Sequence, residues 1–472
     1  MLKTFKTSAM AYQGYNKRRK NVPDKLITDS SFGTPLAEFM RGFWQPVTLA
    51  EQVSRVPKKI KIFGEDLVVF RDGLDRVGLM QLHCAHRGAS LEFGITQERG
   101  IRCCYHGIQF DVTGEVLDIP SEKDRGARLA TKICQPAYPT IERDGLIFAF
   151  FGDPQEVPAF EEWDAFSKDD GVTLVPFTNV FPCNWLQVLE NIADQIHTAT
   201  LHQPRNLYDG EVPSDLNFDE FTLPAFGAIP ELSYHTVRED SAMAFVAGRR
   251  MNAGLVWWRI NECVLPNLSH HAYLFEKGDK RRLFHRVHMS RWYVPVDNEN
   301  SIIFGWRMFG EGIDPENKGD VSKLGDDSID FLGGQVGGRS YQDRQRLPGD
   351  FEAITSQGAV ASHTDENPLT GDIGVYAFRK ILRAALSGEN PRVQPSLMHK
   401  EPEKFFSTYT QNTLLNIPCG DTEKEDADRI GKIGKKIIAL MDEAQSTGEQ
   451  RATRVVSGLE KLEEDFRVEA RT

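Results

Sequence analysis

The chain has 472 residues, of which 40% are hydrophobic and 26% are charged, and its formal net charge is −12. This length predicts two or three domains of ordinary globular composition, and the acidic balance disfavours nucleic acid as a partner. No apolar run approaches the roughly 20 residues that span a bilayer, so we expect no membrane association. Seven cysteines, without the apolar core of a signal peptide, predict a reducing, cytoplasmic location rather than a disulfide framework.

The chain begins with a polar arm, residues 1–41, in which a short helix is predicted near Pro35–Arg41. Short β-rich runs follow, among them Ile60–Phe63 and Leu67–Arg71 on either side of a Gly-Glu-Asp turn. This pattern predicts a small antiparallel β domain over residues 42–155. An acidic, proline-bearing stretch at its end is typical of a linker.

Residues 156–421 mix strand and helix patterns, including a helix predicted over Tyr376–Ser387. The longest predicted strands are Ala242–Ala247, Leu255–Ile260, Arg282–Val294 and Ile302–Phe309. They predict a larger domain built on one antiparallel sheet flanked by helices, so the fold class is α+β. Residues 320–338, rich in Gly and Asp, are predicted to form a flexible loop.

The charged tail, residues 422–472, is predicted to be helical because five apolar residues recur at helical spacing. These residues are Ile430, Ile433, Ile437, Leu440 and Met441. We expect the stripe to pack on the body of the protein or on a neighbouring subunit.

Two loops of the β domain pair a cysteine with a histidine: Cys84-Ala-His86 and Cys103-Cys104-Tyr-His106. Two thiolates and two imidazoles can hold a structural zinc ion or a [2Fe–2S] cluster with histidines on one iron. Zinc fingers usually present C-x2-C and H-x3-5-H pairs, so one Cys and one His in each loop favours the cluster. Cys104-x-His106 repeats the spacing of the first loop, so these residues alone leave the second cysteine ligand open. Glycines after each histidine are expected to permit close backbone approach.

A second metal site is predicted in residues 184–202. Read as one helix, Asn191, Asp194 and His197 fall at steps of three and share a face, with His202 beyond a loose last turn. Two imidazoles and a carboxylate from elsewhere in the chain would form a facial triad on iron(II). Such a triad leaves open positions where O2 and a substrate can meet.

Both motifs resemble those of one family. Cys84-x-His86 with Cys103-x2-His106-Gly107 resembles the Rieske signature of ring-hydroxylating, non-haem iron oxygenases, and residues 190–202 resemble the mononuclear iron motif of the same family. The resemblance extends from Phe43 to about Leu386. The amino-acid sequence of residues 42–47 and 350–358 is most similar to that of the branch that includes phthalate dioxygenase and aryl-ether O-demethylases. Members of that branch are homotrimers of one α-type subunit.

The resemblance implies a role for each candidate residue. The cluster ligands would be Cys84, His86, Cys103 and His106, and Cys104 would be a buried thiol. The mononuclear iron ligands would be His197, His202 and Asp350, with Asp343, Glu352 and Asp365 as competitors for the carboxylate. The catalytic residues would be Asn191, close to the iron, and Asp194, which would orient His197 and reach the cluster ligand His106 of an adjacent subunit.

These features predict the terminal oxygenase of a multicomponent system. No Gly-x-Gly-x-x-Gly site for a nicotinamide or flavin is evident, so electrons should come from a separate reductase, directly or through a ferredoxin. The expected substrate is an aromatic acid or aryl ether, and the outcomes of ring hydroxylation and O-demethylation are not separated. Trp257, Trp258, Phe284 and Trp292 are predicted to wall the pocket, and Arg249, Arg250, Arg259 and Arg291 are candidates to pair a substrate carboxylate. The alternatives are a Rieske electron carrier without oxygenase chemistry and a zinc-stabilised binding protein.

Overall fold

We describe a computed structural model of the chain, which covers residues 12–122, 125–168, 171–202, 227–272, 282–285, 287–309, 339–346, 348–393, 405–444 and 448–469. The predicted loop at residues 320–338 lies outside these ranges. The α+β class is confirmed, with antiparallel sheets and flanking helices. No helix among the described residues is long and apolar enough to span a lipid bilayer.

The first part of the chain is mainly short strands. Its helices are α1 (Lys25–Thr28), α2 (Pro35–Arg41) and α3 (Gly126–Ala130). Its strands are β1 (Gln45–Leu49), β2 (Lys58–Ile62), β3 (Glu65–Arg71), β4 (Val77–Gln81), β5 (Ile95–Thr96), β6 (Ile101–Arg102), β7 (Gln109–Phe110), β8 (Val116–Asp118), β9 (Ala137–Tyr138), β10 (Thr140–Arg143) and β11 (Leu146–Ala149). They form three antiparallel sheets in the orders β1-β11-β10, β2-β3-β4-β9 and β5-β6-β7-β8.

The second part is built on one large antiparallel sheet. Its strands are β12 (Glu162–Trp163), β13 (Thr173–Phe181), β14 (Glu231–Val237), β15 (Ala242–Asn252), β16 (Leu255–Val264), β17 (Leu268–Ala272), β18 (Val287–Pro295), β19 (Ser301–Phe309), β20 (Phe405–Phe406) and β21 (Gln411–Asn416). The sheet runs β13-β19-β18-β17-β16-β15-β14, and β21 also pairs with β16. β12 and β20 form a separate parallel pair.

The helices of this part are α4 (Trp185–Ala193), α5 (Thr198–Leu201), α6 (Tyr341–Arg346), α7 (Asp350–Thr355), α8 (Ile373–Leu386), α9 (Glu423–Glu443) and α10 (Gly448–Glu469). Helices α4, α8, α9 and α10 pack against the sheet. Helix α9 begins with a capping box in which Thr422 accepts from the Glu425 backbone N–H. Four residues of the apolar stripe, Ile430, Ile433, Ile437 and Met441, are buried on α9, and Leu440 is half-buried. The stripe packs against the sheet so closely that a Cβ on Gly248 would meet the Ile430 side chain at 2.3 Å. The tail therefore packs on the body of the same chain.

Two apolar cores hold the architecture. The larger core joins the first strands to the big sheet, as in the edge contact between the rings of Phe148 and Trp292. The smaller core lies beneath the two cysteine–histidine loops and includes Cys84, Cys103 and Ile108. Apolar burial of this kind is the main force that fixes the loops on the strands below them.

Candidate metal centres

The two cysteine–histidine loops have the same backbone design. In the first loop the Cys84 N–H donates to the Ala89 carbonyl at 2.9 Å, and the Gly88 N–H donates back to Cys84 at 2.9 Å. In the second loop Cys103 makes the equivalent bonds, to Ile108 at 2.8 Å and from Gly107 at 3.0 Å. Gly88 and Gly107 have φ of 76° and 73°, so the left-handed backbone conformation requires glycine. A Cβ on Gly88 would have no atom within 4 Å, so the expected close approach is not the reason at that position.

The side chains of the loops separate by type. Cys84 and Cys103 are buried and interact with each other, whereas His86 is exposed and its ring centroid lies 4.7 Å from that of His106. Burial raises the pKa of the Cys84 thiol to about 11, opposed by the backbone N–H groups of His86 and Arg87. A metal must therefore supply the charge that deprotonates the thiol. This donor set fits a [2Fe–2S] cluster with its two thiolates inside and its two imidazoles at the surface.

Cys104 does not occupy the position that we expected. The prediction of a buried thiol is wrong, because Cys104 is exposed whereas Cys103 is buried. Neighbouring residues at the end of β6 point to opposite sides. Cys103 faces the small core, so Cys104 faces outward.

Gln135 positions the first loop, and the sequence reading missed it. Its buried amide donates to the carbonyls of Gln81 and His83 and accepts from the Ala85 N–H at 2.8 Å. Three backbone bonds thus fix the approach to Cys84. No sequence signal marks this role, since Gln135 lies about 50 residues from the groups that it contacts.

The prediction that one helix carries Asn191, Asp194 and His197 on a shared face is wrong. Helix α4 ends at Ala193, Asp194 is its C-cap with an extended ψ of 94°, and α5 begins only at Thr198. The Asp194 carboxylate causes the break, because its Oδ1 accepts from the backbone N–H groups of Ile196 at 3.0 Å and His197 at 3.3 Å. An Asp side chain that bonds nearby N–H groups competes with helix continuation.

The break brings two imidazoles to one carboxylate. His197 Nε2 and His202 Nε2 lie 3.4 and 3.2 Å from Asp350 Oδ1. One ligand atom from each residue lies within 4.8 Å of the others, and no other group of three or more His, Cys, Asp or Glu in the described ranges does so. Two histidines and one carboxylate on three corners fit an octahedral iron(II) with open positions.

Electrostatics prepare these side chains for a cation. Burial alone would raise the pKa of Asp350, but His202, His197 and the amide of Asn191 lower it to about 2. Asn191 Nδ2 donates to Asp350 Oδ1 at 3.2 Å, so it contacts the candidate carboxylate ligand. Burial lowers the pKa of His197. A carboxylate and a neutral imidazole are the protonation states that a divalent metal needs.

The competing carboxylates have other partners. Asp343 is exposed in the first turn of α6 and bonded to Ser340, and Asp365 caps the backbone of Lys20 and Asn21. Glu352 accepts from Gly349 and Arg344. None of the three belongs to the group formed by the two histidines and Asp350.

Two further buried contacts place the ligands, and neither was predicted. Gln187 on α4 bonds to Ile354, Gly358 and Ala361 around the end of α7, so it ties the helix that precedes the histidines to the helix of Asp350. Arg379 on α8, with only 4% of its side chain exposed, bonds to both Glu190 oxygens. Both contacts join residues more than 160 positions apart, which local patterns cannot reveal.

A surface cleft of about 310 Å³ opens beside the iron-ligand turn. Its lining includes Asn191, Asp194, His197, Glu366, Asp372 and Arg379. Arg379 also bonds to Glu366. Acids outnumber cations in this lining, so the cleft is suited to a cationic or proton-donating group from outside.

The predicted pocket wall is only partly correct. Successive residues of a strand point to opposite faces, and Trp257 and Arg249 lie on the side of the iron ligands, where Arg249 donates to Thr198 Oγ1 at 2.8 Å. Trp258 lies on the other face and donates to the Ile430 carbonyl. Trp292 packs in the large core. These two tryptophans therefore do not wall the pocket.

The four candidate arginines lie in different environments. Arg250 is paired with Asp426 and bonds to the backbone of Ile417, so it attaches α9 to the sheet. Arg249, Arg259 and Arg291 are buried. Burial, the charges of Arg249 and Arg291 and the opposing charge of Asp350 bring the pKa of Arg259 to about 9. Arg259 thus lies within electrostatic range of the iron ligands.

Comparisons with known proteins agree with this arrangement. A family model described as the Rieske [2Fe-2S] domain matches residues 43–139. The chain is 42% identical, over 96% of each chain, to the oxygenase subunit of tert-butanol monooxygenase / tert-amyl alcohol desaturase from Aquincola tertiaricarbonis. It is 32% identical to phenoxybenzoate dioxygenase subunit alpha from Ectopseudomonas oleovorans, over 80% of this chain and 88% of the relative.

Solved structures share the fold. The crystal structure of Pseudomonas putida CBB5 NdmA with caffeine superposes with a TM-score of 0.54 at 20% identity, covering 78% of this chain and 97% of NdmA. At this identity the likeness concerns the fold alone. The two loops, the two-histidine, one-carboxylate site and the full-length relatives together show that the chain belongs to the Rieske non-haem iron oxygenases, as an oxygenase subunit whose cofactors are a [2Fe–2S] cluster and a mononuclear iron.

Proposed function

We propose that the chain oxidises an aromatic acid or aryl ether, by ring hydroxylation or O-demethylation, at an iron held by His197, His202 and Asp350. The observation that carries this proposal is the convergence of both Nε2 atoms on Asp350 Oδ1 at 3.2–3.4 Å. The iron, when bound, supplies adjacent open positions at which O2 is activated beside the substrate. The similarity to phenoxybenzoate dioxygenase, whose name denotes an aryl-ether acid, supports this substrate class.

The protein's own groups prepare that site. The carbonyl of Asp194 holds the Nδ1 side of the His197 ring, so its Nε2 is directed to Asp350. Asn191 holds the Asp350 oxygen, and Gln187 keeps α4 against the helix of Asp350. Contacts of this kind fix ligand orientation and support metal affinity.

The cluster has its own proposed ligands and domain. They are Cys84, His86, Cys103 and His106, within a domain of residues 42–155, followed by a catalytic domain of residues 156–421 and a tail from 422. The burial of the two cysteines and the 4.7 Å separation of the two imidazole rings support this assignment. Free thiols on all seven cysteines support the cytoplasmic location.

Electrons would enter from a separate reductase, directly or through a ferredoxin, and cross between copies of the chain in a homotrimer. The exposed tip of the cluster loops supports this route. Tyr105 is 60% exposed, packs on the His106 ring at 3.8 Å, and lies beneath the Arg87 guanidinium. A cationic tip with a ring N–H complements the acidic cleft that contains Asp194 in another copy.

A second candidate substrate is a tertiary alcohol. The observation that favours it is the 42% identity, over 96% of both chains, to a relative named for tert-butanol and tert-amyl alcohol. Both candidates require the same two metal centres. They differ only in what lies beside the iron.

The two candidates are separated by turnover with a surrogate reductase and NADH. O2 uptake and product would be measured for benzoate, 4-methoxybenzoate, anisole and tert-butanol. The proposal predicts substrate-dependent O2 uptake and a hydroxylated or demethylated product with an aromatic member. Product from tert-butanol alone would establish the second candidate, and a protein that only passes electrons would support neither.

A further inference from the structure

Two buried amide groups in the large sheet have donors without acceptors. Asn261, 1% exposed, accepts from the Ala272 N–H at 2.9 Å through Oδ1, and Asn412, fully buried, accepts from the indole N–H of Trp257. These bonds assign the oxygens, so the remaining atom of each amide is the NH2 group. Neither Nδ2 has a hydrogen-bond partner. A buried donor without an acceptor costs stability, so both point to a ligand that accepts hydrogen bonds.

The two amides share one face with an arginine. Arg259 is directly opposite Asn412 in the pairing of β16 with β21, and Asn261 follows Arg259 by two residues on the same strand. Paired residues, and residues two apart, point to the same side of a sheet. Arg259, Asn261 and Asn412 therefore form one cluster of N–H donors.

These three donor residues lie on the side of the iron ligands. Arg249 and Trp257 are opposite each other in β15 and β16, and Trp257 is two residues before Arg259. Arg249 donates to Thr198, next to His197. Arg259 also interacts electrostatically with Asp350. The donors thus face the part of the domain where a substrate would meet the iron.

The charge of Arg259 favours an anionic acceptor over a neutral one. Burial and two neighbouring arginines lower the pKa of Arg259 to about 9, against the opposing effect of Asp350. An anion placed here would stabilise the guanidinium, which a neutral acceptor would do less well. A carboxylate offers two oxygens with about four acceptor positions, enough for an arginine and two amides.

We propose that Arg259, Asn261 and Asn412 form a subsite for the carboxylate of an organic acid substrate. This inference rests on the proposed function, because it makes the subsite the anchor that presents the rest of an aromatic acid to the iron. It also separates the two substrate candidates, since a tertiary alcohol carries no anion. The subsite acts in binding and takes no part in oxygen chemistry.

The test measures ligand binding to the iron-loaded, full-length enzyme without a reductase. Isothermal titration calorimetry at neutral pH compares benzoate with benzamide, which has the same shape without the charge. Asn261→Asp and Asn412→Asp keep the oxygens that accept from Ala272 and Trp257 but replace the donors by anionic oxygen. Asn252→Asp is the matched control, since Asn252 is the exposed last residue of β15 and also accepts a backbone N–H, from Gly254, through Oδ1.

The expected result is that the wild-type enzyme binds benzoate at least about tenfold more tightly than benzamide. Each Asp variant at 261 or 412 should lose this preference, and so should Arg259→Gln, whereas Asn252→Asp should keep it. Equal binding of the two probes by the wild-type enzyme, or no binding of either, overturns the subsite even when the variants do not fold. A preference that survives in folded Asp variants, with normal cluster absorption, also overturns it.

The two proposals fail in distinguishable ways. Selective benzoate binding without any oxidation of aromatic acids would leave the subsite standing and remove the proposed reaction. Oxidation of an aromatic ether with equal binding of benzoate and benzamide would leave the oxygenase and remove the subsite.

Discussion

The Nδ1 atom of His197 meets the backbone carbonyl oxygen of Asp194, whereas the Asp194 carboxylate bonds to the N–H groups of Ile196 and His197. Asp194 was expected to orient His197, and the atom that contacts the ring is its backbone carbonyl oxygen rather than its carboxylate. The carbonyl fixes the tautomer of the ring, and the carboxylate shapes the turn at the edge of the cleft. Orientation of His197 thus does not require the charge of Asp194.

This geometry predicts the behaviour of Asp194→Asn. The carbonyl is unchanged and the amide oxygen can still accept from residue 196, so both metal centres should remain loaded. If the acid connects His197 with the cluster of another copy, oxidation of pre-reduced cluster by O2 with substrate should slow by about 10–100-fold. Stopped-flow absorption beside iron analysis measures both quantities.

The control for this variant is Asp372→Asn, which changes another acid of the same cleft. It should transfer electrons at the wild-type rate. A fully loaded Asp194→Asn enzyme with a normal single-turnover rate would exclude the connecting role.

Asp350→Ala should remove the mononuclear iron and leave the cluster. The total should fall from about three irons per chain to about two, by the count of one two-iron cluster and one single site. Asp343→Ala should keep all the iron, because the Asp343 side chain is exposed on α6 and bonded to Ser340. Retention of the third iron in Asp350→Ala would contradict the ligand assignment and leave Glu352 or Asp365 as the candidate carboxylate ligand.

The two adjacent cysteines should respond oppositely to substitution. Cys103→Ser removes a buried candidate ligand and should abolish the visible absorption of the cluster, whereas the exposed Cys104→Ser should keep it. Absorption spectra of anaerobically purified variants provide the measurement. The reverse pattern would mean that Cys104 binds the iron.

Replacement of Arg379 should destabilise the catalytic part of the chain. Arg379→Met leaves the Glu190 and Glu366 carboxylates without their shared cation, and loss of one member of a buried ion pair costs about 3–5 kcal/mol. The matched change is Arg383→Met, one helical turn later, where the side chain is 39% exposed and pairs with Asp24. That exposed pair should contribute about 1 kcal/mol or less.

Thermal denaturation followed by tryptophan fluorescence compares the two variants. We expect Arg379→Met to melt well below the wild type and to lose mononuclear iron, because Glu190 lies in the last turn of α4. Equal melting temperatures for the two variants would show that the buried ion pairs of Arg379 stabilise the fold no more than the exposed pair of Arg383 does.

The sequence predicted the candidate ligands better than it predicted what holds them. Cys84, His86, His197 and His202 occur in short motifs whose spacing reports on the metal. Asp350 was reached through a resemblance, and the structure brings it to within 3.4 Å of His197. The break after Ala193 was missed because residue spacing does not show that an Asp side chain will bond to the following backbone.

Contacts between distant residues were beyond sequence reasoning. The pairing of Asn412 with Arg259 depends on the register of β21 against β16, which no local pattern specifies. Trp258 was assigned to the pocket because aromatic composition alone does not reveal which face of a strand is turned to the iron. Gln135 and Arg379 act through tertiary contacts that leave no periodic signal.

We propose that the site of His197, His202 and Asp350 uses O2 to oxidise an aromatic acid. The most direct test is the ratio of O2 consumed to 4-methoxybenzoate consumed, measured with a surrogate reductase for the wild type and for Asp350→Ala. We expect a ratio of about one in the wild type, by the stoichiometry of one O2 for each oxidised substrate, and no substrate loss in the variant. Substrate oxidation that persists without Asp350, or O2 uptake by the wild type that leaves every aromatic acid unchanged, would contradict it.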